Sequence, residues 1–318
     1  MKKRTLNILI LCFTLVSLSF DANYALKDNV LITSSYNAIS KLEPRPQGDY
    51  HGMVIPFKRV GNLIMIEAKV DDQTGYFVFD TGAPHLVLNS TYFRDYPQME
   101  LYASVGATGS STESFKTRVD SLSIHHLKYN NLQADVTDLS EIENIRKVKV
   151  LGLLGTGLFK QLILTLNYEK QNILFTNPKN AEYVAPSGQT MFRFKLRNNI
   201  MNLKGNVNGE MLNLVIDSGA ELNAISSSLN SKVDALFAID NRKRLSGVGE
   251  SVEVFTGVFK ELAIDDEKFI NMKTLMIDLE PLSYAYRFRV DGILGYEWLS
   301  KKKNVTIHLP EKEIYFYD

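Results

Sequence analysis

The chain has 318 residues, with 36 Lys plus Arg against 36 Asp plus Glu, and a single cysteine. Balanced charge leaves no electrostatic footprint for nucleic acid or an anionic membrane surface, and one cysteine excludes a disulfide-stapled mini-fold. The length has room for two domains of ordinary size, so stability must come from apolar cores.

Residues 1–25 open with Met1-Lys2-Lys3-Arg4 and continue into the mostly apolar Leu6 to Phe20, the pattern of an export signal. The apolar run is shorter than the roughly 18 residues of a membrane-spanning helix. Cys12 lies inside it, but Leu11 stands where a lipoprotein signal wants a small residue. An exported, periplasmic or extracellular chain without cysteine in its mature part is expected, or a membrane-tethered one if the signal is not cleaved. Residues 26–52, with Glu43-Pro44-Arg45-Pro46-Gln47-Gly48, read as a leader or spacer.

The body is expected to begin near Met53. Leu63 to Val70 reads as a strand, Asp71 to Gly75 as a turn, and Tyr76 to Phe79 as a strand running into Asp80. Short strands separated by turn signals continue throughout. Helical pattern is confined to Asp138 to Lys147, a piece near Ser227 to Phe237, and short turns after Gly155 and Gly295. His125-His126 reads as a hairpin turn, and Phe159 and Trp298 as core anchors. Asn89-Ser90-Thr91 and Asn304-Val305-Thr306 fit the glycosylation acceptor pattern. Pro and Gly near 179–189 mark a linker between a first lobe, 53–178, and a second, 190–318. Val207-Asn208-Gly209-Glu210 is a tight hairpin signal in the second. The fold class is all-β, in two lobes.

Two segments of these lobes nearly coincide. Phe77-Val78-Phe79-Asp80-Thr81-Gly82-Ala83 and Leu214-Val215-Ile216-Asp217-Ser218-Gly219-Ala220 each run three apolar residues into an acid, a hydroxyl residue, Gly and Ala. The acids are 137 residues apart (217 − 80), and the flanks align at that offset: Phe57-Lys58 on Phe194-Lys195, Asn62-Leu63 on Asn199-Ile200, Val70 on Val207. Downstream the offset becomes 140 (262 − 122), pairing Leu122 with Leu262 and Gly152-Leu153-Leu154-Gly155 with Gly292-Ile293-Leu294-Gly295. One further residue aligns Ile173-Leu174-Phe175 with Ile314-Tyr315-Phe316. The chain is an internal duplication.

A charge at the end of a buried strand is costly, and finding it twice suggests two carboxylates brought together. If Asp80 and Asp217 meet, they cannot both ionise, and one proton is shared. Such a pair can activate a water with one carboxylate and polarise a carbonyl with the other. Gly82 and Gly219 would let amides approach the acids closely, and the Thr81 and Ser218 hydroxyls could hydrogen-bond across to the opposite lobe. No H-E-x-x-H, no G-x-S-x-G and no cysteine nucleophile competes. Two bland readings stand beside this one: acids that merely cap turns, and a folded member that binds extended peptide without cutting it.

These residues resemble the aspartic peptidase superfamily, the pepsin and retropepsin-like folds, and most nearly the bacterial retropepsin-like proteases with two lobes fused. The resemblance covers roughly residues 53–318. It implies a bilobal fold of two six-stranded barrels with a cleft between them and an endopeptidase acting on extended polypeptide as a monomer, with no metal or organic cofactor. It makes Asp80 and Asp217 the catalytic pair, Thr81, Gly82, Ser218 and Gly219 their support, and Leu154-Gly155 and Leu294-Gly295 structural triplet ends. The flap hairpins would be Gly106, Thr108 and Gly109 in one lobe and Gly247 and Gly249 in the other. Two departures matter: neither hairpin tip carries the flap tyrosine of pepsins, and Ala83 and Ala220 stand where acid-active pepsins commonly place a hydroxyl. Without that donor the pair is expected to titrate higher, and activity to lie at mildly acidic to near-neutral pH.

Overall fold

The computed structural model describes residues 9–10, 16–18, 43–105, 111–179, 186–229, 237–246 and 252–318. The fold is all-β and bilobal. In the first lobe six strands close on themselves: Leu63–Val70, Gln73–Asp80, Gly152–Gly155, Leu86–Asn89, Leu127–Thr137 and Ser111–Ile124. The last returns to the first through Lys69 opposite Ser123 and Val70 opposite Leu122. The second lobe repeats the cycle with Ile200–Val207, Glu210–Ile216, Gly292–Leu294, Asn223–Ser226, Glu267–Ile277 and Val252–Ile264, closing where Asn206 faces Ala263.

A third sheet of six strands joins the lobes. Met53–Pro56, Asn172–Thr176 and Ile163–Asn167 come from the first, and Asn304–His308, Glu313–Tyr317 and Thr190–Arg193 from the second. At its centre Thr165 lies opposite Thr306, with the two hydroxyls 2.8 Å apart. These residues are repeat equivalents, 141 apart (306 − 165), so the pseudo-twofold axis passes between them. One apolar core runs from barrel to barrel through this sheet. Phe159 packs on Phe79 and Phe175, and Trp298 on Phe192, Phe269 and Phe316.

The strands that enter the two acids are buried on both faces, which is why each shows an unbroken apolar run instead of alternation. Phe77 and Phe79 face the barrel core and Val78 an outer cluster; Leu214, Ile216 and Val215 divide the same way. Turn chemistry follows the residues. Asn208 and Gly209 both take positive φ, 50° and 87°, as a two-residue hairpin demands, and His125 does the same, with φ 54°, in the turn that pairs it with His126.

Three details depart from the sequence reading. The second strand of the first lobe starts at Gln73, since Asp71-Asp72 alone makes the turn. Gly75 sits inside the strand because a Cβ there would lie 2.8 Å from the Leu151 side chain. The packed body also begins before Met53, with Gln47 bridging Lys128 in both directions and Tyr50 buried in the core.

Ser140–Arg146 is a helix ended by Lys147 in the left-handed region, and Glu280–Tyr286 matches it in the second lobe, ended by Arg287. Short helical turns follow Gly155 and Gly295, at Thr156–Phe159 and Tyr296–Leu299. Near 227–237 the described part is a short turn of 3₁₀ helix, Ser227–Leu229. Asn89 is fully buried, its amide spent on Val150 and on capping the turn at Thr91, so its acceptor motif is closed to modification. Among the described residues no helix is long and apolar enough to cross a membrane. Two short strands of the N-terminal segment also take part: Leu9–Ile10 pairs with Leu245 and Ser246, and Val16–Leu18 with Ala103 to Val105.

Candidate active site

Asp80 ends its strand and Asp217 directly follows its own, each beside the returning Gly strand of its lobe. Gly155 pairs with Asp80 in parallel register, and the Asp217 amide donates to the Leu294 carbonyl at 2.9 Å. The triplet glycines are needed for that approach. A Cβ at Gly155 would stand 2.2 Å from the His85 carbonyl oxygen, and one at Gly295 2.5 Å from those of Ala220 and Leu222. Leu154 and Leu294 point into the common core and hold the strands from behind.

The chain then turns sharply, and the acid's own turn solvates it. Gly82 and Ala83 amides donate to Asp80 Oδ1 at 2.9 and 3.2 Å, and the Gly219 amide to Asp217 Oδ1 at 2.8 Å. The two turns lock together across the axis. The Thr81 amide donates to the Ser218 hydroxyl at 3.0 Å, and the Ser218 amide to that of Thr81 at 2.9 Å. Each hydroxyl passes its own proton on, Thr81 to the Ile216 carbonyl at 3.0 Å and Ser218 to that of Phe79 at 2.8 Å. Four buried hydrogen bonds therefore fix the relative position of the acids, and each hydroxyl acts as donor and acceptor at once.

This lock brings the carboxyls of Asp80 and Asp217 into hydrogen-bonding contact with one another. A Cβ at Gly82 would fall 2.5 Å from Asp217 Cγ, and one at Gly219 2.7 Å from Asp80 Cγ, so only glycine fits beside the opposite acid. Both side chains are fully buried, and neither Oδ2 receives a hydrogen bond from a protein donor. Burial is the first cause that raises both acids. Asp217 is pushed up to about 6, held back by the bond with Asp80 and by backbone amides. Asp80 rises well above the ordinary carboxylate range, since the Asp217 charge and the bond to it add to burial. Two carboxyls placed this way resist ionising together.

A second layer ties the lobes around the pair. Asn62 Nδ2 donates to the Glu221 carbonyl at 3.3 Å, and its equivalent Asn199 to the Pro84 carbonyl at 3.0 Å. Arg146, from the first-lobe helix, forms an ion pair with the buried Glu221. Its equivalent in the second lobe, Tyr286, donates to the Gly82 carbonyl at 3.0 Å. The sequence alignment paired Asn62 with Asn199, but nothing in it marked Arg146, Glu221 or Tyr286 as clamps. Their partners lie far along the chain.

Two hairpins flank the site: Glu100–Val105 with Ser111–Ile124, and Phe237–Ser246 with Val252–Ile264. The proposed tip residues Gly106, Thr108, Gly109, Gly247 and Gly249 lie outside the described residues. Among the described residues no cluster of three or more His, Cys, Asp or Glu side chains is placed to hold a metal ion.

A family described as aspartyl protease matches the chain twice, over residues 66–158 and 203–298. Those regions cover more than half of the chain and coincide with the two barrels, so the chain belongs to the aspartyl protease family. No curated protein matches it.

Proposed function

We propose that the protein is an aspartic endopeptidase in which Asp80 and Asp217 act as one unit on a single water. The ionised carboxyl of the pair takes the proton of the water as it attacks the scissile carbonyl carbon. The protonated carboxyl gives its proton to the carbonyl oxygen, forming a tetrahedral diol. Its collapse breaks the C–N bond as a proton reaches the leaving nitrogen. No covalent enzyme intermediate forms, and no cofactor enters the step.

The observation that carries this reading is the pair itself: two fully buried acids in contact, each with an oxygen left without a protein donor. A purely turn-capping acid would have no cause to be buried against its twin, where the second charge adds to the expense. The hydroxyl lock, membership in the family and the glycines beside each carboxyl support the same reading.

Substrate is extended polypeptide, bound between the lobes by strand pairing with the flanking hairpins. The chain's own short strands, Val16–Leu18 on the first hairpin and Leu9–Ile10 on the second, support this, since they use the same hairpin edges. We propose a monomer, because both halves of the site come from one chain, and an exported one, on the charged and apolar start of the sequence.

The test is cleavage of a denatured protein between pH 3 and 8 by wild type and by Asp80→Asn. Cleavage that disappears in the variant is expected, with a maximum at mildly acidic to near-neutral pH. Cleavage surviving Asp80→Asn would refute the assigned pair. Binding of the denatured protein without cleavage by wild type would instead make the protein a peptide-binding module.

A further inference from the structure

Outside each barrel lies a second apolar cluster, and the two clusters differ most at four neighbouring positions. In the second lobe Leu222, Val254, Leu275 and Ile277 belong to it, together with Ala220 beside Asp217. The equivalent positions of the first lobe are His85, Ser114, Asp135 and Thr137, and none joins the corresponding cluster, although Ala83 beside Asp80 does. Four aliphatic side chains on one side of the axis are thus replaced by four polar ones on the other.

The replacement is built, not incidental. Asp135 is almost fully buried, with Oδ2 2.5 Å from Nε2 of His85, whose side chain is 38% exposed. The hydroxyl of Tyr102, on the first hairpin, faces the same carboxyl; burial first, then the Asp135 charge, drives its ionisation far up. Neither Asp135 Oδ2 nor the Tyr102 hydroxyl completes an aligned hydrogen bond within the protein. Beside them the buried hydroxyls of Ser104, Ser114 and Thr137 close a small network, at 2.6 and 2.8 Å.

The position is next to the reaction. His85 is five residues past Asp80, and its neighbour Pro84 takes the Asn199 bond from the opposite lobe. The hairpin carrying Tyr102 and Ser114 flanks the pair. The accessible member is His85. With Nε2 turned to Asp135, the polar atom its ring has left is Nδ1.

We infer that His85, backed by Asp135 and Tyr102, is a specificity-determining wall that selects a substrate side chain bearing an amide, Gln or Asn, on the first-lobe side of the cleft, opposite an aliphatic wall at Leu222. A side-chain amide carries donor and acceptor, so it pairs with Nδ1 in either protonation state. An aliphatic side chain there would strip water from imidazole and give nothing back.

This inference rests on the peptidase reading, and the test separates the two. A peptide library with each position varied in turn among Gln, Asn, Leu, Glu and Lys is digested by wild type, by His85→Leu/Asp135→Leu and by His85→Gln. The double variant copies the second lobe and leaves no orphaned carboxylate. Wild type is expected to prefer Gln or Asn over Leu at one position by about tenfold, the double variant to lose or invert that ratio, and His85→Gln to keep it. Circular dichroism establishes that each variant is folded; should the double variant unfold, His85→Leu alone carries the same comparison. Cleavage by wild type with no amide preference, or an unchanged ratio in the Leu variant, overturns the wall alone. Failure of wild type to cut any peptide overturns the peptidase reading with it.

Discussion

The two lobes share a backbone plan but not a division of labour. Where the duplication serves the acids themselves it stays symmetric: Asp80 with Asp217, Thr81 with Ser218, Gly82 with Gly219, Asn62 with Asn199. One shell farther out the copies diverge. The first lobe reaches across with a charged group, Arg146 to Glu221, whereas the second reaches across with a phenol, Tyr286 to Gly82. The difference shows where symmetry is physically required. A shared proton needs two acids in equivalent frames, but a clamp needs only some bond at that place, so its chemistry is free to change.

Breaking the clamps measures how unequal they are. Arg146→Leu leaves the buried Glu221 without its counter-ion, with only the Asn62 amide on its carboxylate, so chemical denaturation should show a loss of about 3–5 kcal/mol. Adding Glu221→Gln should restore a large part of it. Next in size, Gly82→Ala and Gly219→Ala each drive a methyl group into the opposite carboxyl, and about 1–3 kcal/mol of stability should go in each. Their loss of cleavage should be far larger than that destabilisation explains. The lock is expected to be even-handed: Thr81→Val and Ser218→Ala each remove a buried hydroxyl that both gives and takes, costing about 1–3 kcal/mol by the same denaturation measurement. A lopsided result would show that one turn positions the other. Tyr286→Phe is the smallest, about 1 kcal/mol, since it removes one neutral hydrogen bond and leaves a carbonyl behind.

Proton linkage offers a separate check on the acids. Both have folded-state pKa values raised above the ordinary carboxylate value, so the folded protein holds protons that the unfolded chain has released. Stability from this source is present at pH below the ordinary value and is lost as pH rises from about 4, through about 6 for Asp217 and on to higher pH for Asp80, which is raised well above the carboxylate range. Asp80→Asn needs no such proton. Its melting temperature should exceed that of wild type at pH 7 by on the order of 2–4 °C and the gain should shrink at pH 4. A variant less stable at pH 7 would mean that the carboxyl is not held protonated in the fold.

Much of the site was legible before any coordinates. Strands buried on both faces leave uninterrupted apolar triplets, so Phe77 to Phe79 and Leu214 to Ile216 announce themselves, and the acids at their ends stand out against that background. The glycines read correctly as places of close approach, though sequence could not say that each touches the other lobe's acid. Gly75 misled, since a glycine that makes room for Leu151 inside a strand looks the same in sequence as one that makes a turn. Arg146 and Tyr286 were invisible as a pair because equivalent positions with unlike chemistry leave no trace in an alignment of the halves. The wall at His85 was hidden for the same reason: His85 and Asp135 are 50 residues apart (135 − 85) and meet only when two parallel strands align.

The central claim is that two acids work as one group, and additivity tests it most directly. The rate of peptide cleavage at the pH optimum should be measured for wild type, Asp80→Asn, Asp217→Asn and the double variant. A shared-proton pair requires each single substitution to cost about as much as both together, on the order of 10³-fold or more. Two single losses that multiply in the double variant, or one acid whose removal leaves the rate largely intact, would contradict it.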